Sequence, residues 1–74
     1  MAQRVLVTAG ASGIGKEIAR AFAATSAKVC VCDIDAKALD SAAKDIPGLL
    51  TKFCDVSKRQ DIGRMMLDAV ADLN

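Results

Sequence analysis

The sequence predicts an α/β fold: a parallel sheet laid down as βαβαβα, strand order 3-2-1, forming one half of a doubly wound domain. Two observations carry this expectation. Short apolar runs at residues 4–9 (RVLVTA), 28–33 (KVCVCD) and 49–55 (LLTKFCD) alternate with longer segments whose apolar residues recur at helical spacing. The first run also feeds directly into a cluster of glycines, Gly10, Gly13 and Gly15, at the mouth of the first helical segment. Strands alternating with helices imply parallel strands joined by right-handed crossovers.

Each element has its own signal. The run at 4–9 is continuously apolar rather than alternating, as expected of a parallel strand covered on both faces. From Ile14 the period changes, and Ile14, Ile18, Ala21, Phe22 and Thr25 form the expected stripe of the first helix, with Lys16, Glu17 and Arg20 elsewhere on the cylinder. Asp35 is placed to cap a second helix carrying Leu39, Ala42, Ala43 and Ile46, which Pro47-Gly48 ends. The third strand is interrupted by Thr51 and Lys52. Ser57 and Gln60 have capping-box spacing for the last helix, whose stripe is Ile62, Met65, Met66, Ala69, Val70 and Leu73. In the 3-2-1 order the first strand has nothing on its other side, which leaves Val5, Leu6 and Val7 on an open edge.

Composition narrows the function classes. Ten Lys and Arg against nine Asp and Glu leave a net charge of +1, which gives no electrostatic footprint for nucleic acid or an anionic membrane. No run approaches the roughly 18 apolar residues of a membrane span, and the opening MAQR with its short apolar stretch lacks the hydrophobic region of a signal peptide. Cys30, Cys32 and Cys54 are odd in number and show no framework spacing, so the expectation is a reducing, cytoplasmic setting. With no His and no C-x-x-C, buried free thiols are expected rather than a metal site.

The glycine cluster is where chemistry is expected. A strand running through glycines into a helix aims backbone N–H groups and the positive end of a helix dipole at one point, which suits a phosphate. Glycine permits positive φ and close approach of backbone to ligand. Asp33 ends the second strand twenty residues after Gly13. A carboxylate there can accept hydrogen bonds from the ribose hydroxyls of an adenosine and would repel a 2′-phosphate, favouring NAD over NADP. Asp55 ends the third strand on the same rim. Taken singly, the glycines read equally as a tight turn and the aspartates as turn residues or caps; their combination in one βαβαβ frame points to a dinucleotide.

TAGASGIG, VCDID and FCDVS, in this order, resemble the N-terminal third of the short-chain dehydrogenase/reductase family. That family's loop is T-G-x-x-x-G-I-G; Thr8 matches its threonine, Gly13, Ile14 and Gly15 its G-I-G, and Ala9 stands where it has its first glycine, with Gly10 beside it. The resemblance implies a Rossmann-type domain in which Gly10, Ser12, Gly13, Ile14 and Gly15 hold the pyrophosphate and adenosine ribose. Asp33 with Ile34 would take the ribose, and Asp55 with Val56 the adenine. Family members that prefer NADP often carry a basic residue at the position of Ser12, so the serine also favours NAD.

The activity implied is hydride transfer between a nicotinamide and an alcohol or carbonyl of a small-molecule substrate, in an enzyme that is a homo-oligomer when complete. The family's proton-handling Y-x-x-x-K motif has no counterpart, since the chain contains no Tyr, and no catalytic residue is assigned. Residues 1–74 are therefore expected to be the N-terminal NAD-binding half-domain of an oxidoreductase, inactive alone, with the catalytic and substrate-binding remainder absent from this chain. The alternatives are a non-catalytic nucleotide-binding module and one half of a two-chain assembly.

Overall fold

The computed structural model describes residues 3–55 and 57–73. Six elements follow in the expected order: β1 (Arg4–Thr8), α1 (Gly13–Ala23), β2 (Lys28–Asp33), α2 (Ala36–Asp45), β3 (Leu50–Phe53) and α3 (Arg59–Leu73). The three strands form one parallel sheet in the order β1-β2-β3, which is 3-2-1 read from the opposite edge. Thr8 pairs with Cys32, and Asp33 with Phe53, so all three strands end on one rim.

Alternation along β2 divides the interior. Val29 and Val31 face α1 and α2, in a cluster with Ala11, Ala19, Leu39 and Ile46, joined by Val5 and Val7 of β1. Cys30 and Cys32 face the other way, onto Met65, Ala69 and Leu73 of α3, with Cys54, Leu6 and Leu50 beside them. The middle of β2 is buried on both sides, as its unbroken apolar run requires. All three cysteines are free and buried, and burial raises each thiol's pKa above its ordinary 9.0.

Several details depart from the sequence expectation. β1 stops at Thr8 because Ala9 turns into the left-handed region at φ 53°. The apolar stripe expected on α1 faces the sheet only at Phe22: Ile14 is 81% exposed and Ile18 43%, and Ala21 is exposed as well. The inward face is turned round the cylinder, with Ala19 fully buried and Phe22 and Ala23 packed against the same cluster at partial burial. Thr25 lies beyond the helix end, where its hydroxyl donates to the Phe22 carbonyl at 2.7 Å. Ala43 of α2 is exposed.

On α3 the inward residues are Ile62, Met65, Ala69 and Leu73, while Met66 and Val70 look outward, Val70 at 55% exposure. The capping box is not formed; α3 begins at Arg59, and the Ser57 hydroxyl turns back to donate to Asp55 at 2.6 Å. β3 is shorter than expected and ends at Phe53. Two ion pairs tie helices to their surroundings, Lys16 to Asp45 between α1 and α2, and Lys52 to Asp72 between β3 and α3. Among the described residues no helix is long and apolar enough to cross a membrane.

Candidate functional site

The rim where the three strands end is where the chain breaks its regular pattern. Residues 9–12 carry it from β1 into α1 through two left-handed positions, Ala9 at φ 53° and Gly13 at φ 60°. Gly13 meets this turn without the cost a side chain would impose; Ala9 bears that cost, about 1–2 kcal/mol.

The other two glycines are needed for space. A Cβ on Gly10 would sit 2.8 Å from the Val31 side chain, and one on Gly15 would sit 2.4 Å from the Ala9 carbonyl oxygen. Both distances are shorter than atoms tolerate, so the loop lies directly on β2 and α1 lies directly on the loop. Gly10 N–H donates to the Cys32 carbonyl at 3.2 Å, fastening the loop to the sheet.

This packing leaves the N-terminus of α1 open. The first intrahelical bond runs from Lys16 N–H to the Ser12 carbonyl, so the amides of Gly13, Ile14 and Gly15 precede it. Ser12 is the N-cap residue, but its side chain makes no capping bond, and no acidic residue occupies the first turn. No side chain of the first turn of α1 itself therefore answers the positive end of the helix dipole. These are the features an anion such as a diphosphate requires.

The carboxylates stand on the same rim. Asp33 Oδ2 accepts the Ala11 N–H at 3.2 Å, and its Oδ1 accepts the Asp35 N–H at 3.1 Å. Asp55 Oδ1 accepts both the Ser57 hydroxyl and the Ser57 N–H, at 2.6 and 3.0 Å, and these bonds hold its pKa below the usual carboxylate value. Cys54 N–H donates to the Asp33 carbonyl at 3.0 Å, joining the two strand ends. Asp33, Ile34, Cys54, Asp55 and Ala9 together line a cleft of about 100 Å³.

Of the residues singled out from sequence, Asp33, Ile34 and Asp55 thus share one cleft. Gly10 and Ser12 belong to the adjoining loop, and Gly15, in the first turn of α1, packs on it. Gly13 and Ile14 border a separate hollow on the outer side of α1, with Lys16 and Ile18. Val56 lies outside the described residues. Three further contributors were not anticipated. Ala9 and Cys54 line the cleft, and the Ala11 amide engages Asp33. The departure at Ala9 from the family's glycine was a visible signal for the first. Cys54 reads in sequence as plain core, and a backbone amide has no signature at all.

A parallel sheet whose first strand feeds a glycine turn and a helix N-terminus defines the class: a Rossmann-type α/β fold. The short chain dehydrogenase model matches residues 3–74, and the chain belongs to that family. An L-fucose dehydrogenase from Bos taurus is 33% identical over 66 residues, covering 89% of this chain and 24% of the relative. A 3-ketoacyl-(acyl-carrier-protein) reductase from Brucella melitensis, solved as a complex with NADH, superposes with a TM-score of 0.90 at 29% identity, covering 96% of this chain and 30% of that one. An actinorhodin polyketide ketoreductase with NADPH gives a TM-score of 0.93 at 28% identity, over 97% of this chain and 29% of the other. The chain spans about a quarter of the length of the curated relatives it matches.

Proposed function

We propose that residues 1–74 are the N-terminal NAD-binding half-domain of a short-chain oxidoreductase that transfers hydride between a nicotinamide and an alcohol or carbonyl of a small-molecule substrate. The observation that carries this reading is the arrangement on one rim of an open helix N-terminus and the Asp33–Asp55 cleft beside it. In this reading the amides around Ser12, Gly13 and Ile14 receive the diphosphate, with Gly10 and Gly15 allowing the close packing that holds the loop in place. Asp33, beside Ile34, accepts the ribose hydroxyls, and Asp55, with Val56, borders the adenine. NAD, when bound, would supply the hydride acceptor.

The residues of this rim fit that group. The helix start is uncapped by any side chain, and in this reading the Asp33 carboxylate faces the place where a 2′-phosphate would have to sit. Like charges within a few ångström of each other repel strongly in a partly buried cleft, and Ser12 supplies no cation to compensate. NAD is therefore assigned over NADP. With no Tyr and no His among the 74 residues, proton transfer to the substrate oxygen falls to groups elsewhere in the complete enzyme, which we place in the cytoplasm as a homo-oligomer.

The test is a pair of binding titrations, NAD and NADP against the same protein. NAD should bind at least about tenfold more tightly, a difference of about 1.4 kcal/mol. Equal affinities, or a preference for NADP, would sink the cofactor assignment. Binding of neither would sink the site.

A further inference from the structure

We propose that Asp33 is also a positioning residue for the glycine loop, so that the group meant to recognise the ribose simultaneously shapes the diphosphate site. This rests on the nucleotide reading of the cleft and deepens it. Asp33 Oδ2 reaches across 22 residues of chain to accept the Ala11 N–H at 3.2 Å. Ala11 is 2% exposed, so the Asp33 carboxylate answers an amide that the fold otherwise keeps from water, and a buried orphan donor is costly.

Close packing fixes the loop from below, at Gly10 on Val31 and at Ala11 in the core cluster. Ala11 sits between two left-handed residues, Ala9 and Gly13. Beside the Gly10 bond to Cys32, the Asp33 contact is the side-chain bond that ties this stretch to the end of β2. Those residues lead directly into the amides at the start of α1.

The carboxylate has the capacity for both tasks. An ionised Asp offers about four lone-pair directions. The Ala11 and Asp35 amides use one on each oxygen, leaving one on each for a pair of ribose hydroxyls. Substituting Asp33 should therefore disturb two parts of a nucleotide at once: the ribose, which it would touch, and the diphosphate, which it would never touch.

Two ligands separate the roles. Adenosine carries the ribose without the diphosphate; ADP-ribose carries both. The full-length protein and its Asp33→Ala variant are titrated with each by calorimetry. A residue that only binds ribose gives the same loss of affinity for the two ligands. A residue that also positions the loop gives a larger loss for ADP-ribose, by at least about threefold, the scale on which contacting groups couple. Equal losses overturn the positioning role and leave the ribose contact standing. Wild-type protein that binds neither ligand overturns the nucleotide reading and this inference with it. Should the variant not fold, amide hydrogen exchange on the wild type reads the same contact. The Ala11 amide should be protected well beyond those of Ser12 and Gly13, and equal exchange at the three positions overturns the proposal.

Discussion

The N-termini of α1 and α2 face the same rim of the sheet and are finished in opposite ways. α2 closes its own end: Asp35 is the N-cap, and its Oδ1 accepts the Ala38 N–H at 3.1 Å. α1 has a residue equally suited to capping, Ser12, whose side chain makes no such bond. The one helix start is complete within the chain; the other is built around it, with Gly10 and Gly15 packed against backbone and Ala9 held at a positive φ. A fold that meets the cost of a left-handed alanine and forgoes a cap at the same turn has given up local stability there. Such sacrifices concentrate at binding sites.

This contrast can be broken at the glycine that holds the turn together. Gly15→Ala drives a methyl to 2.4 Å from the Ala9 carbonyl oxygen, and neither partner is a flexible side-chain end. A loss of about 3 kcal/mol or more is expected, read as a lowered denaturant midpoint. A change within 0.5 kcal/mol of zero, on the ordinary scale of surface substitutions of about that size, would mean that α1 does not lie on the loop as described.

The next largest effect tests the closed end. Asp35→Ala removes the side-chain bond to Ala38 while leaving the Asp35 backbone bond to Asp33 intact, and should cost about 1 kcal/mol. Ala9→Gly relieves the left-handed strain, worth about 1–2 kcal/mol, against a glycine entropy cost of about 0.5–1 kcal/mol. The expected net gain is about 0.5 kcal/mol, seen as a raised melting temperature. A destabilised Ala9→Gly would show that the alanine methyl is packed rather than strained.

The smallest effect sharpens the comparison most. A serine N-cap normally costs about 0.5–2 kcal/mol when replaced by alanine. Ser12→Ala should cost almost nothing in unfolding, because no capping bond is there to lose. Under the proposed function it should still weaken NAD binding. A stability loss matching that of Asp35→Ala would mean the two helix starts are alike after all.

Most of this arrangement was legible in the residues. The order of elements follows from two periodicities, and the sheet order from reading the three units as a mononucleotide-binding half of a doubly wound fold. Asp35 as a cap and the grouping of Asp33 with Asp55 on one rim follow from position relative to strand ends. The faces of the helices were less legible. Ile14 and Ile18 have the right spacing for a buried stripe, yet Gly15 and Ala19 occupy the interior instead. A count of apolar residues measures the tendency to leave water, whereas the space between α1 and the sheet was already set by the loop beneath it. Ser57 illustrates the same limit: its spacing to Gln60 suits a cap, but Asp55, two residues back, offers a charged acceptor and takes the hydroxyl.

Sequence by itself determined the α/β class, the parallel sheet, the family and the placing of Asp33 and Asp55 on one rim, because each is encoded in local pattern. Tertiary structure alone decided that Ala9 would be forced through the left-handed region, that Ala11 would give its amide to Asp33, and that α1 would turn its isoleucines outward. Those outcomes depend on how closely one backbone approaches another, a distance fixed only when loop, strand and helix are packed together.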